Sequence, residues 1–174
     1  MTFCRAFYIG RFQPFHKGHL HAIKYILNEC DEVVIGIGSA QLSYSIRNPF
    51  TAGERMYMIR IGLLSENIPI TRFWIVPIPD VNNNDIWVSH VKALSPTFNV
   101  VYSNNSLVTL LFEKEGYEVR KIPFLERDKY SATYIRKLML KNKPWEHLVP
   151  KVIVDYIKEI KGPERLQTLA SKDE

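Results

Sequence analysis

The stretch Gly10-Arg11-Phe12-Gln13-Pro14-Phe15-His16-Lys17-Gly18-His19 decides the fold of this chain. It follows an apolar run, Phe3 to Ile9, which predicts a buried strand. It leads into Leu20, Ile23 and Leu27, which recur at the spacing of a helix. The sequence therefore predicts a strand, a short loop and a helix, in that order.

A glycine and two histidines in this loop predict a phosphate site. The helix N-terminus would offer unpaired backbone N–H groups and the positive end of the helix dipole. Gly10 would let the backbone approach a ligand, and His16 and His19, three residues apart, would share one helix face. Both side chains could then donate hydrogen bonds to the same anion.

The two histidines could instead be solvated surface residues or ligands of a metal ion. A zinc site usually has three or four ligands. The other histidines and the two cysteines show no ligand spacing; they are His21, His90, His147, Cys4 and Cys30. The strand before the loop and the helix after it favour phosphate, and we predict no metal-ligating residue. Two cysteines make no disulfide framework, so we expect both to be buried core thiols.

Composition and charge restrict the class of protein. The 174 residues suit one domain, and 46% of them are hydrophobic and 24% charged, as in ordinary soluble proteins. A membrane-spanning helix needs about 18 consecutive apolar residues, and no apolar run approaches that length. No signal-peptide pattern is seen either. We therefore expect a cytoplasmic protein without membrane contact. The net charge of +5 is not concentrated in one run. A small polyanionic substrate explains it as well as nucleic acid does, and we expect no nucleic-acid partner.

Strand-like runs alternate with helical patterns along the chain. The predicted strands are Phe3 to Ile9, Val33 to Gly38, Phe73 to Ile78, Asn99 to Ser103 and Tyr117 to Ile122. The predicted helices are about Lys17 to Cys30, Ala52 to Ser65, Asp85 to Leu94, Ser106 to Glu115, Ser131 to Lys141 and Pro150 to Ile160. This order predicts an α/β fold, a Rossmann-like doubly wound parallel sheet with helices on both faces and a C-terminal helical segment.

We expect a single domain over 1–174, with its core in 1–125, C-terminal helices over about 131–161 and a polar tail, 162–174, that frays. Ligands of such sheets bind at the carboxyl ends of the strands, where the strand order reverses. The Gly-x-Gly of Val34 to Ser39 hints at dinucleotide binding but lacks the third glycine. Close backbone packing at a strand end is the better interpretation of it.

A second segment, Ser131-Ala132-Thr133-Tyr134-Ile135-Arg136, predicts a phosphate site on another helix. Ser131 is a suitable N-cap, and the N–H groups and the Thr133 hydroxyl at the helix start could hold phosphate oxygens. Arg136 follows one turn later, and its planar guanidinium suits phosphate. The alternative is an ordinary capped helix with an exposed arginine. We expect Arg136 to lie on a solvent-facing crevice with little part in core packing.

Two polar loops follow predicted strands. In the first, Thr51 and Glu54 form a capping-box pattern with a structural role, and Arg47 would lie at the crevice. In the second, three consecutive asparagines, Asn82 to Asn84, carry amides that suit a carboxamide ligand. Trp87 opens the next helix, where its indole could stack on a cationic pyridinium ring. An asparagine-rich turn and a core tryptophan remain the alternative.

Both phosphate segments resemble known signatures. The string G-R-F-Q-P-F-H-x-G-H is similar to the archaeal-type nicotinamide mononucleotide (NMN) adenylyltransferases of the H-x-G-H nucleotidyltransferase superfamily. The second segment resembles the superfamily's [IL]-S-x-T-x-[IL]-R signature, with Tyr130 where an aliphatic residue is usual. The Arg47 loop resembles a family loop of the type N-P-F-[TS]-x-x-E-R. The resemblance covers Phe7 to about Leu140.

The resemblance implies adenylyl transfer from ATP to NMN, which gives NAD and pyrophosphate by direct attack of the NMN phosphate on the ATP α-phosphate. It assigns catalytic roles to His16, His19, Arg11, Arg47 and Arg136. It assigns ATP binding to Gly10, Arg11, Phe12, His16, His19, Ser131, Thr133 and Arg136, and NMN binding to Ser39, Asn84 and Trp87.

The resemblance also implies Mg²⁺, bound mainly through the substrate phosphates, and a homo-oligomer, with a hexamer as the state the family suggests. Two other functions stay open. One is a different nucleotidyltransferase of the superfamily, such as one for phosphopantetheine. The other is a protein that senses nucleotides without turnover. The choice between NMN and nicotinic acid mononucleotide is open as well.

Overall fold

One parallel sheet of five strands carries the fold. The computed structural model describes residues 2–171. The strands are β1 (Arg5–Gly10), β2 (Glu32–Ile37), β3 (Phe73–Pro77), β4 (Val100–Tyr102) and β5 (Glu118–Arg120). The α-helices are α1 (Lys17–Glu29), α2 (Ala52–Ser65), α3 (Trp87–Leu94), α4 (Ser106–Lys114), α5 (Ala132–Leu140), α6 (Lys151–Glu159) and α7 (Gly162–Ala170). Short 3₁₀ turns precede β3, α3 and α6 (Ile70–Arg72, Asn84–Ile86 and Glu146–Leu148).

The strand order β3-β2-β1-β4-β5 reverses direction at β1. The chain builds outward from β1 through β2 to β3, and then returns to the other side of β1 to place β4 and β5. Every pairing in the sheet is parallel, so the carboxyl ends of all five strands lie along one edge. The predicted doubly wound α/β fold is confirmed. Its switch point lies between β1 and β4, where a ligand is expected.

Alternate strand residues supply two hydrophobic layers, because successive side chains of a strand point to opposite faces. Ala6 and Ile35 belong to the larger layer, which is completed by α1, α2, α5, α6 and α7. Phe7 and Val34 belong to the smaller layer, which is completed by α3 and α4. Helices therefore cover both faces of the sheet. The loops at its carboxyl edge connect to packed helices on either face.

Element boundaries differ from the predicted ones by a few residues. α2 has the predicted bounds, Ala52–Ser65, where Thr51 and Glu54 form the expected capping box. The helix predicted from Asp85 begins with a 3₁₀ turn, and regular α-helix starts only at Trp87. The first strand starts at Arg5 rather than at Phe3.

The prediction of a fraying tail is wrong for most of that segment. Gly162–Ala170 form α7, and residues 172–174 lie outside the described part of the chain. Leu166 is fully buried in the larger layer, so a few apolar side chains dock an otherwise polar helix. Lys161 has a left-handed φ of 54°, which turns the chain sharply between α6 and α7.

The prediction of two core thiols is also wrong, because Cys4 and Cys30 form a disulfide. The parallel pairing of β1 with β2 returns the end of α1 to the start of β1, and the two Cα atoms lie 4.7 Å apart. The Cys4 carbonyl accepts the N–H groups of Asp31 and Glu32 at 2.8 and 3.1 Å. Long-range topology, which cysteine spacing does not reveal, brings the two residues together.

Burial of α7 predicts that Leu166→Ala will be destabilising. Losing a buried leucine side chain costs about 2–5 kcal/mol of unfolding free energy, measured by denaturant titration. Thr168→Ala, on the exposed side of the same helix, is the matched control and should change it by less than about 0.5 kcal/mol. Two equally small effects would place α7 outside the core.

Candidate active site

A cavity of about 510 Å³ opens at the carboxyl edge of the sheet, between the loops that follow β1, β4 and β5. Both predicted phosphate segments line it, through His16, His19, Ser131, Thr133 and Arg136. Two further segments, Ser103–Asn105 and Ile122–Leu125, were missed by sequence reasoning. Their only sequence signal is their position directly after the fourth and fifth predicted strands.

The loop after β1 is anchored in the protein interior. Gln13 pairs with the backbone of Phe50, because its amide donates to the carbonyl and accepts from the N–H, both at 2.9 Å. Phe12 is 1% exposed, and its ring meets the His19 ring edge-on at 4.7 Å. A Cβ at Gly10 would lie 3.0 Å from the Phe12 ring. Gly10 therefore makes room for the aromatic ring that supports His19.

The two histidines cap α1. His16 is the N-cap, and its Nδ1 accepts the N–H groups of Gly18 and His19 at 3.1 and 3.4 Å. The Nδ1 atom of His19 accepts the N–H of His16 at 3.2 Å, which completes a capping box made of imidazoles. A Cβ at Gly18 would lie 3.0 Å from the His16 ring, so the spacing H-x-G-H is a packing requirement.

This cap corrects the expectation of unpaired backbone donors at the start of α1. The N–H groups of Gly18 and His19 are bound by the His16 ring, and they are not available to a phosphate. The rings themselves can supply donors instead. A neutral imidazole whose Nδ1 accepts a hydrogen bond carries its proton on Nε2. Each histidine therefore presents one Nε2–H group.

Both imidazoles are neutral. Burial lowers the pKa of His16 to about 3. Burial, and then the neighbouring His16, lower the pKa of His19 well below its ordinary value of 6.5. The rings stack with centroids 3.6 Å apart, and a second proton on either ring would face its neighbour across that distance. The pair supplies hydrogen bonds to a ligand rather than a formal positive charge.

Arg136 is buried, which corrects the expectation of an arginine with little part in packing. It is 7% exposed, and its Nε and Nη1 donate to the carbonyls of Ile46 and Gln13 at 3.1 and 2.8 Å. Nη2 reaches the Thr133 hydroxyl at 3.4 Å. A guanidinium has five N–H groups, so about two remain for a ligand. Arg136 thus joins α5 to the loops after β1 and β2 as well as lining the cavity.

Arg136 also lines a second cavity, of about 330 Å³. Five cationic side chains line it, those of Arg11, Arg47, Arg136, Lys137 and Lys141. No carboxylate among the described residues lines either cavity. Burial, and then repulsion from Arg11 and Arg47, lower the pKa of Arg136 to about 10. Such a convergence of like charge favours a polyanionic ligand.

Sequence reasoning missed Arg55, the largest fully buried side chain of the protein. Its guanidinium donates to the carbonyls of Arg11 and Gly38, both at 3.0 Å. It also binds three carbonyls of the loop after β2, those of Ser39, Ala40 and Leu42. Its place in the same helical stripe as the buried Met58 and Ile59 is the signal that could have found it.

The predicted NMN residues lie on the other side of β1, in the loops after β2 and β3. Ser39 donates to Asp80 at 3.1 Å, and Asn84 begins the 3₁₀ turn before α3. Trp87 is partly exposed, and its ring meets the Phe112 ring edge-on at 5.5 Å. None of the three predicted residues lines the cavity that holds the histidines. The structure thus separates two groups of loops across β1.

Two further features bear on ligands and location. Within residues 2–171, no three histidine, cysteine or acidic side chains come together in a way that could hold a metal ion. No helix in that range has the length and apolar character needed to cross a membrane.

Comparison with known proteins gives a consistent result. A family model described as cytidylyltransferase-like matches residues 7–138. Nicotinamide-nucleotide adenylyltransferases are 51% identical in Pyrococcus horikoshii, over 96% of this chain and 89% of that protein, and 52% identical in Methanococcus aeolicus, over 97% and 96%. The enzyme of that name from Thermoplasma acidophilum is 52% identical over 98% and 94%. The chain belongs to the archaeal-type nicotinamide-nucleotide adenylyltransferases.

Two solved structures share the fold of this chain. A bifunctional NMN adenylyltransferase/ADP-ribose pyrophosphatase from Francisella tularensis superimposes with TM-scores of 0.78 and 0.81, at 22% and 23% identity. The superposition covers 99% of this chain but about half of that protein, 53% and 54%. One of the two structures is a complex with AMP and a manganese ion.

The histidine cap predicts a fixed tautomer for both rings. Nitrogen NMR should show Nε2 protonated and Nδ1 unprotonated for His16 and His19 from about pH 5 to 8. The unfolded chain binds these protons near the ordinary pKa of 6.5, whereas the folded chain does not. The free energy of unfolding should therefore fall as the pH drops from 6.5 toward about 3. Titration of either ring near its ordinary pKa would contradict the cap.

Proposed function

We propose that this chain transfers the adenylyl group of ATP to NMN, forming NAD and releasing pyrophosphate. The observation that carries this proposal is the convergence of two neutral histidine donors with Arg11, Arg47 and Arg136 around two cavities that no carboxylate of the described residues lines. The family membership supports it, since relatives about half identical to the chain carry the name of this activity.

The loops after β1, β4 and β5 suit ATP. His16, His19 and Arg136 would hold the phosphates, together with the Ser131 and Thr133 hydroxyls at the start of α5. Asn104 pairs with the backbone of Ile122, donating to its carbonyl at 2.8 Å and accepting its N–H at 3.1 Å. This pairing joins the loops after β4 and β5, and the nucleoside of ATP would bind against them.

The loops after β2 and β3 suit NMN, with Ser39, Asn84 and Trp87 around the nicotinamide riboside. ATP on one side of β1 and NMN on the other would direct their phosphates toward each other over the end of β1. Arg11 comes from the loop at that point, and Arg47 lines the adjoining cavity. Both arginines would therefore contact phosphates where the two substrates meet.

The reaction needs no protein nucleophile, because the NMN phosphate is already an anion. One of its oxygens attacks the α-phosphorus of ATP, and the bond from that phosphorus to the oxygen bridging to the β-phosphate breaks. Negative charge grows on the α-phosphate oxygens and on the leaving pyrophosphate. The Nε2–H groups of the histidines and the arginine side chains stabilise that charge, and the rigid loops position the phosphates.

Mg²⁺ would bind mainly through the substrate phosphates and water. The polar side chains that line the two cavities are cations, neutral imidazoles, amides and hydroxyls, so the phosphates must supply the anionic oxygens that Mg²⁺ prefers. When bound, the ion would neutralise phosphate charge. We also propose a cytoplasmic location and a homo-oligomer, with a hexamer as the state that the family resemblance suggests.

Pyrophosphate release tests the proposal against its alternatives. The purified chain is mixed with ATP, Mg²⁺ and NMN, and then with phosphopantetheine or nicotinic acid mononucleotide in place of NMN. Turnover with NMN and stoichiometric NAD supports the proposal. Turnover with phosphopantetheine alone would assign another transferase activity. Tight ATP binding without release in any mixture would indicate a nucleotide sensor.

Trp87→Ala should raise the KM for NMN and leave the KM for ATP nearly unchanged. Loss of an aromatic ring stacked on a cationic pyridinium costs about 0.5–2 kcal/mol of binding. Trp74→Ala is the matched control, because Trp74 is a half-exposed residue of the edge strand β3. Steady-state kinetics are paired with thermal melts. A parallel rise in both KM values would place Trp87 in the core alone.

A further inference from the structure

Arg47 lies in a tight turn, Ser45–Asn48, between β2 and α2. The Ser45 N–H donates to the Asn48 carbonyl at 3.2 Å, and the Asn48 N–H donates to the Ser45 carbonyl at 3.1 Å. The Asn48 N–H also reaches the Ser45 hydroxyl at 3.1 Å. The turn exposes the Arg47 side chain beside the second cavity. The conformation of the turn therefore determines where the Arg47 guanidinium lies.

One side of the turn is held by the active-site arginine, Arg136, whose Nε donates to the Ile46 carbonyl at 3.1 Å. The other side is held from α7. Arg165 donates through Nη1 to the Pro49 carbonyl at 3.0 Å, and its guanidinium lies 4.8 Å from the Tyr44 ring centroid. Arg165 thus contacts the residues on both flanks of the turn.

Arg165 is itself fixed by a two-point ion pair with Glu54. Nη1 and Nη2 lie 2.7 and 2.8 Å from the two carboxylate oxygens, and each side chain is only 16% exposed. The same carboxylate accepts the Thr51 N–H at 2.9 Å in the capping box of α2. Burial raises the pKa of Glu54, but Arg165 and the Thr51 amide outweigh it and leave that pKa below its ordinary value. The pair is therefore charged at neutral pH.

We propose that Arg165 is a positioning residue, which fixes the Arg47 turn from α7 so that Arg47 is preorganised for substrate phosphate. This rests on the proposed function only in assigning Arg47 to phosphate. Without Arg165 the turn keeps its contact with Arg136 but loses the contacts that Arg165 makes with Pro49 and Tyr44 on its two flanks. Substrate binding must then order the turn, which lowers the apparent affinity.

A double-mutant cycle tests this coupling. Arg165→Ala should lower kcat/KM for NMN about tenfold in the parent protein, within the range of coupling between contacting residues. In an Arg47→Ala background the same change should have almost no further effect. Arg165→Lys keeps the charge but loses the planar fork, so its kcat/KM should lie between those of the parent protein and Arg165→Ala. Lys158→Ala removes an ion pair with Glu146, away from the turn, and should leave kcat/KM unchanged.

Hydrogen exchange supplies a readout that does not depend on activity. The Ser45 and Asn48 amides should exchange faster in Arg165→Ala and Arg165→Lys than in the parent or in Lys158→Ala. Unchanged exchange, or an Arg165 effect of equal size with and without Arg47, overturns the inference. An inactive parent protein with the expected exchange pattern would instead overturn the proposed function and leave the positioning role standing.

Discussion

Guanidinium groups bound to backbone carbonyls hold the active-site loops of this protein together. Moving a cation out of water costs several kcal/mol unless its donors are satisfied. Arg55 meets this condition with the carbonyls of the loops after β1 and β2. Arg136 meets it with the carbonyls of Gln13 and Ile46. A carbonyl group is a dipole without net charge, so it does not neutralise a guanidinium. These arginines therefore keep their net positive charge at the carboxyl edge of the sheet.

That charge explains the chemistry of the crevice. An arginine paired with a carboxylate would present little net field, whereas Arg136 has no such partner in the part of the chain that the structure describes, and burial, followed by repulsion from Arg11 and Arg47, lowers its pKa. The loops are thus assembled at an electrostatic cost that a polyphosphate would relieve. Preorganised charge of this kind needs no rearrangement when the reaction occurs, and it stabilises a phosphoryl transition state effectively.

The histidine pair joins structure and chemistry in one motif. The same Nδ1 atoms that cap α1 fix the protons on Nε2, and burial keeps both rings neutral. Substituting either ring removes a cap and a donor together. Gly18 is part of this device, because a side chain at that position would strike the His16 ring.

Local patterns in the sequence predicted the sheet, most of the helices and several residues that line the cavity. The alternation of strand-like runs with helical patterns predicted the parallel sheet, and the two signatures pointed to His16, His19 and Arg136, which all line the cavity. Arg165 was missed because a hydrogen bond to a distant carbonyl leaves no local signal, whereas Arg55 lies in the buried stripe of α2 and could have been found there. The Cys4–Cys30 disulfide was missed because it depends on how β1 and β2 pair, which the spacing of the cysteines does not reveal. The segment that forms α7 was predicted to fray because it is mostly polar, although a few apolar side chains such as Leu166 pack in the core.

Thermal unfolding in the presence of pyrophosphate tests most directly whether the arginine-bound loops are assembled to receive polyphosphate. At pyrophosphate near 100 times its dissociation constant, the wild-type protein should gain about 2.7 kcal/mol of stability, whereas sodium chloride at equal ionic strength should add none. In Arg136→Gln, the shift in Tm should be much smaller, measured from that variant's own baseline. Equal shifts in the two proteins, or no shift in the wild type, would contradict this assignment.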